Sequence, residues 1–203
     1  MNTFRKLFLL CWAVLVSLVS LAAPSMPKVS TAQEVHWYLL KFTNSGLVVE
    51  ASKANSGVHL AAMTGVDAQL WKVEGSAAAG YTLTNKMGLQ LYVTNTQEKG
   101  MVEAAKQHVN NKFSIEPCKT ANFTSSFEIH PKANSEVGFN QWGGASAGHP
   151  IGLWGSSKDR EGNNALTFET TAALDVYKNL PPLVPYPQNI NIQEGKNLDL
   201  RNL

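Results

Sequence analysis

Three stretches of the chain repeat one pattern: Gln69-Leu70-Trp71-Lys72-Val73-Glu74, Asn111-Lys112-Phe113-Ser114-Ile115-Glu116 and Asn164-Ala165-Leu166-Thr167-Phe168-Glu169. Each runs amide, spacer, large apolar, polar, apolar, Glu, and the alternation reads as a short strand. Upstream of each lies a matching glycine turn, Gly46-Leu47, Gly88-Leu89 and Gly138-Phe139, which supplies a second landmark. Strand and glycine both advance by 42 residues from the first unit to the second, and by 53 and 50 from the second to the third. The mismatch in the last copy predicts one longer loop there. A period of this size marks units that cannot bury their own apolar faces and must close on one another.

Between the landmarks the apolar residues come in short runs divided by Gly, Asn, Ser and Thr. Trp37 to Phe42, Gly46 to Ala51, Val58 to Met63, Tyr81 to Thr84, Gln90 to Val93, Met101 to Ala104 and Ser126 to Ile129 all read as strands. No amphipathic helix interrupts them. About four strands per unit in three units is the strand count of an all-β chain folded as a β-trefoil, a six-stranded barrel capped by three hairpins, and closure removes the edges that an open sheet would expose.

The 203-residue chain has extensions at both ends. Arg5 and Lys6 precede an apolar run from Leu7 to Ala23, and small residues lead to a candidate Ser30-Thr31-Ala32 cleavage site, so residues 1–32 read as a secretory signal peptide. Residues 33–173 form the trefoil. Without the leader the 17 Lys and Arg fall to 14, against 15 acidic residues. A near-neutral chain lacks the cationic surplus that nucleic acid requires. Cys118 becomes the single cysteine, which rules out an intramolecular disulfide in an exported protein and points to the bacterial periplasm or cell surface, or to secretion. After cleavage no stable membrane span is expected. No cofactor is expected either, and His36, His59, His108, His130 and His149 lack metal-ligand spacing, so no metal site is expected.

The three units resemble the ricin-B-type β-trefoil lectins, whose repeats carry a Gln-x-Trp signature. Gln69-Leu70-Trp71 matches it fully, and the other two copies keep its amide and apolar positions. The resemblance covers about two thirds of the chain and implies that Trp71, Phe113 and Leu166 are core residues around a pseudo-threefold axis. Where that family opens a sugar site with Asp after the glycine strand, counting from the glycines places Glu50, Tyr92 and Trp142.

The tail, residues 174–203, is different in character. Leu180-Pro181-Pro182 and Pro185-Tyr186-Pro187 hold the chain extended, and Ile190-Asn191-Ile192-Gln193-Glu194-Gly195 alternates like the first strand of a hairpin. Residues 183–195 resemble the start of the non-catalytic α/β domain in family 20 glycoside hydrolases, the β-N-acetylhexosaminidases. Those enzymes use an adjacent Asp-Glu pair, which this chain does not contain. The resemblance implies a linker and the opening of a cut-off second domain, with a catalytic domain of the same polypeptide as a partner.

The most site-like stretch holds Asn140, Gln141, Trp142, His149, Trp154, Asp159 and Asn163. Sugar recognition needs flat apolar faces against pyranose C–H groups and planar amides or carboxylates against paired hydroxyls. The competing reading is that both tryptophans cover the base of the longer loop while the polar residues hold its turns. Gly144-Ala145-Ser146-Ala147-Gly148 matches G-x-S-x-G, but His149-Pro150 cannot start the helix that a nucleophile elbow requires. Asp159-Arg160-Glu161 reads as a solvated charge cluster, so no catalytic set emerges. The expected function is a non-catalytic carbohydrate-binding module that targets a hexosaminidase-like enzyme to glycans, with N-acetylhexosamine as the expected sugar. The alternative is a structural or protein-interaction trefoil that has lost sugar binding.

Overall fold

A computed structural model describes residues 24–172. Residues 1–23 of the expected leader and the tail expected to form a linker and hairpin lie outside the described residues; residues 24–32 of the expected leader are described. In chain order the strands are β1 (Tyr38–Phe42), β2 (Val48–Glu50), β3 (Ser56–Gly57), β4 (His59–Ala61), β5 (Leu70–Ser76), β6 (Gly80–Asn85) and β7 (Gln90–Val93). They continue with β8 (Val102–Ala105), β9 (Phe113–Pro117), β10 (Phe127–Pro131), β11 (Val137–Gln141), β12 (Ile151–Gly155) and β13 (Leu166–Thr170). Among the described residues the one helical element is a 3-10 turn, Ser156–Lys158.

Six strands close a ring. β1 pairs with β5 and β13, β5 with β6, β6 with β9, β9 with β10, and β10 with β13, all antiparallel. Three hairpins, β2–β4, β7–β8 and β11–β12, cap this barrel. They also hold one another: β3 pairs with β8, and isolated bridges join His59 to Pro150 and Met101 to Gly152. Each cap therefore touches both others, and few strand edges remain open.

The core explains why the repeat is only partly visible in sequence. Trp71, Phe113 and Leu166 are all fully buried in one core cluster, and so is one hairpin residue at the corresponding place in each unit, Val49, Leu91 and Phe139. As the barrel residue shrinks from Trp to Phe to Leu, the hairpin residue grows from Val to Leu to Phe. Close packing rewards constant total volume, so the units compensate rather than copy one another. The Trp71 indole N–H donates to Val49 O at 3.0 Å, satisfying its one polar atom. Phe113 and Phe139 meet edge to face at 5.1 Å across units.

Two sequence expectations are corrected here. Gly46 and Gly88 are turn glycines with φ of 72° and 79°, but Gly138 lies inside β11, opposite Trp154, without a positive φ. The turn before β11 is instead closed by Asn134, whose N–H donates to Pro131 O at 2.9 Å and whose side chain accepts from Glu136 N at 3.0 Å. Gly138 serves packing: a Cβ there would lie 3.1–3.3 Å from Asn164 Nδ2, Glu128 Oε2 and Ser156 Oγ. By strand register, Asn140 rather than Trp142 is then the counterpart of Glu50 and Tyr92, since all three sit opposite the equivalent position of the return strand, Gly152, His59 and Glu103.

Candidate functional site

The third hairpin carries the candidate site. Its inward residues, Phe139 and Leu153, are fully buried, which fixes the opposite face of the hairpin toward the surface. Just beyond β11, Trp142 donates its backbone N–H to Pro150 O at 3.2 Å and lays its ring over Gly152. A Cβ on Gly152 would stand 3.0 Å from that ring, so glycine is what allows the indole to lie there. Trp154 meets Trp142 at 6.0 Å between centroids and 61° between planes, and both are half-buried. Lys158 Nζ stands 5.2 Å from the Trp154 ring centre, within cation–π range. Together with Asn140, Arg160, Glu161 and Asn163 these residues line a shallow hollow of about 580 Å³.

The loop that closes this hollow is held from inside. Asp159 is buried, and its carboxylate accepts from the backbone N–H groups of Glu161 (3.2 Å), Asn163 (3.1 Å) and Asn164 (2.9 Å). Three backbone donors replace the solvation that burial removes. Asp159 is thus a loop anchor, not a member of a solvated charge cluster, while Arg160 and Glu161 are exposed as expected. At Gly162, φ is 73° and the Phe123 ring occupies the space of a Cβ, which leaves glycine as the residue that fits. Asn163 remains half-buried, with its side-chain oxygen accepting from Asn44 Nδ2 at 3.0 Å. Asn140 donates to Asn164 Oδ1 at 2.7 Å, and its own side-chain oxygen has no protein donor among the described residues.

Five of the seven expected residues, Asn140, Trp142, Trp154, Asp159 and Asn163, come together around the hollow. Gln141 and His149 do not line it. Gln141 is buried in the wall behind, where its amide donates to Asn44 Oδ1. His149 Nδ1 lies 3.1 Å from Gly144 O and closes the 143–148 loop. Lys158 and Asn44 were missed. Lys158 stands four residues beyond Trp154 and could have been included on proximity, whereas nothing in the sequence near Asn44 points to the site.

The equivalent positions in the other units are internally satisfied. In the first, Glu50 accepts from Gln69 Nε2 at 2.7 Å and lies 3.3 Å from His59 Nε2. Gln69 in turn accepts from Thr64 N and Gly65 N at 2.9 and 3.0 Å. In the second, Tyr92 stacks on His108 at 3.8 Å and donates its hydroxyl to Glu103. That hydrogen bond, burial and the Glu103 charge push the phenol up to about 12. Asn140 faces Gly152, which has no side chain to occupy it, and the freed space is the floor beneath Trp142.

No protein-family description and no curated protein matches the sequence. Solved structures do. A ricin B-like lectin from Macrolepiota procera, solved in complex with lactose, superposes with a TM-score of 0.58 at 17% identity, covering 71% of this chain and 99% of that one. The Rhizoctonia solani agglutinin gives 0.57 at 17% identity, over 71% of this chain and 99% of that one. The chain is a β-trefoil. An exo-β-1,3-galactanase from Clostridium thermocellum is also similar, with a TM-score of 0.57 at 14% identity, covering 70% of the trefoil chain and 31% of the galactanase. At these identities the likeness carries the trefoil's fold, and its chemistry has to be read from its own side chains.

Proposed function

We propose that this trefoil is a carbohydrate-binding module that uses the hollow of its third unit. The observation that carries the proposal is the pair of half-buried tryptophans set side by side among Asn163, Glu161 and Asn140. Indole faces suit the C–H surface of a pyranose, and planar amide and carboxylate groups suit its paired hydroxyls. Because sugar hydroxyls exchange water for protein partners, a single hollow binds weakly and gains from tethering to a larger assembly. The lactose-bound neighbour supports a sugar ligand, and the galactanase, matched over 31% of its length, supports a module joined to a glycosidase. The resemblance of residues 183–195 to hexosaminidase domains favours N-acetylhexosamine as the sugar, and the leader favours an exported, periplasmic or cell-surface setting.

The test is a titration of the full chain with N-acetylglucosamine, N-acetylgalactosamine, lactose and chito-oligosaccharides, followed by tryptophan fluorescence. Binding by at least one, weakened about tenfold or more by Trp142→Ala and by Trp154→Ala, is the expected result. A flat response across the panel would reject the proposal. The second reading, a protein-interaction trefoil, is favoured by the Glu50–Gln69 and Tyr92–Glu103 pairs that fill the other two positions. Capture of a partner protein by a chain that ignores all glycans would support it.

A further inference from the structure

A second hollow, of about 660 Å³, lies across the Ser156–Lys158 turn from the first. Lys158 lines both. The second hollow is a fixed shape, because hydrogen bonds join its walls: Asn134 Nδ2 donates to Thr96 O at 2.7 Å, Lys99 N to Leu153 O at 2.9 Å and Ser156 N to Glu136 O at 2.9 Å. Lys158 Nζ donates to Glu98 Oε1 at 2.6 Å, and that oxygen sits 2.5 Å from where a Cβ on Gly155 would be. The wall is thus drawn tightly onto the end of β12, the strand that carries Trp154.

The two hollows differ in charge. Around the first, Lys158 and Arg160 balance Asp159 and Glu161. Around the second, Glu98 and Glu136 face Lys158 alone, and the exposed Glu136 carboxylate has no ion pair among the described residues. Carboxylates accept hydrogen bonds from hydroxyl or ammonium groups and repel other carboxylates. The second hollow has no aromatic face among its lining residues, so it suits a unit held by polar contacts next to one held by stacking.

From this we infer that the ligand is an oligosaccharide crossing the Ser156–Lys158 turn, with one unit against Trp142 and Trp154 and the next over Asn134, Glu98 and Glu136. The chain is made of neutral or amine-bearing sugars, and acidic units are excluded from the second position. The inference rests on the sugar-binding reading above and specifies its substrate. Preformed walls keep the ordering cost of the second unit low.

The full chain should be titrated with N-acetylglucosamine, its β-1,4-linked tetramer, the fully deacetylated tetramer and a hyaluronan tetramer. Both chitin-type tetramers are expected to bind about tenfold tighter than the monosaccharide, and the acidic tetramer no tighter than it. The variant Glu136→Gln, which leaves the Glu98–Lys158 pair intact, should lose most of the chain-length gain and keep the affinity for the monosaccharide. A monosaccharide that binds as well as the tetramers, or a gain untouched by Glu136→Gln, would overturn the extended site and leave the first hollow standing. Failure of every probe to bind would reject the extended site together with the sugar-binding reading.

Discussion

Gln141 and Asn44, 97 positions apart, are joined side chain to side chain, with the Gln141 amide donating to Asn44 Oδ1. The Asn44 amide passes the contact on, donating to Asn163 Oδ1 at 3.0 Å and Glu161 O at 3.2 Å. The turn after the first barrel strand thereby buttresses the loop that closes the candidate site.

Removing that buttress should affect binding and stability differently. Asn44→Ala leaves the buried Gln141 side chain without its hydrogen-bond acceptor, a loss of about 1–3 kcal/mol in urea unfolding. It also frees Asn163 and is expected to weaken glycan binding several-fold. Asn44→Asp keeps the acceptor for Gln141 and loses the donor to Asn163, so it should restore most of the stability without restoring affinity. Equal recovery of both would show that Asn44 acts on the fold alone.

Glu128 offers a substitution expected to stabilise. It is buried beneath β11; Oε1 accepts a weak hydrogen bond from Cys118 Sγ at 3.4 Å, and Oε2 has no hydrogen-bond partner. Burial pushes the Cys118 thiol up to about 11, helped by the Glu128 charge and the Cys118–Glu128 hydrogen bond and opposed by hydrogen bonds at Thr120, so the thiol stays a protonated donor at neutral pH. His130 gives Nδ1–H to Val137 O at 2.9 Å, and its other nitrogen lies 3.8 Å from Glu128 Oε2. Glu128→Gln replaces a poorly paired buried carboxylate with an uncharged amide whose N–H can donate toward His130 Nε2, 3.8 Å from the present oxygen. A gain of about 1–3 kcal/mol in unfolding free energy is expected. A loss of that size would instead mean that its neighbours stabilise the carboxylate and would overturn this account.

Acid should loosen the seam between the first and last strands. Burial alone would raise the Glu169 carboxyl, but hydrogen bonds from Lys41 and Thr167 and the Lys41 charge outweigh it and hold it below its ordinary value. Lys41 Nζ lies 2.7 Å from Glu169 Oε1 across the β1–β13 pair. A carboxyl lowered in the folded state stabilises at neutral pH, and that contribution disappears as pH falls through its folded value. Glu169→Gln should cost up to about 1 kcal/mol at pH 7 and flatten the acid limb of a stability profile taken from pH 7 to pH 2. An unchanged acid limb would remove Glu169 from the account.

The proposed leader and the position of its cut can be tested directly. Pro27 and Ser30 are buried, Val29 packs against the core, and Ser30 N donates to Val73 O at 2.7 Å. A cut after Ala32 would strip these contacts from the barrel. Small residues also stand at Ser20, Ala22 and Ala23, so on the proposed leader reading a cleaved chain is expected to begin at or before residue 24. N-terminal sequencing of protein recovered after export decides the point, and a first residue of Gln33 would show that the segment is dispensable.

The threefold architecture was legible because a barrel made of repeats needs the same strand at the same interval, and amide-x-apolar is short enough to survive in three copies. Its third glycine landmark misled. Gly138 resembles Gly46 and Gly88 in sequence but is demanded by the crowding of Glu128, Ser156 and Asn164 rather than by a turn. Trp142, Trp154 and Asn163 were legible as neighbours around one hollow because they are close together along the chain. Asp159 was misread, since a carboxylate in a polar loop looks solvated until three backbone N–H groups are found around it.

Local alternation and period, by themselves, determined that this chain is all-β, that it has three units and that the last is the longest. They could do so because strand periodicity and repeat spacing are properties of neighbours along the chain. Tertiary structure decided which unit has an open hollow. That choice depends on whether the partner across the hairpin is His59, Glu103 or Gly152, and on whether Asn44 reaches Asn163 from the far end of the sequence. Pairing across strands joins residues that no local pattern connects, and only the closed barrel brings them within hydrogen-bonding distance.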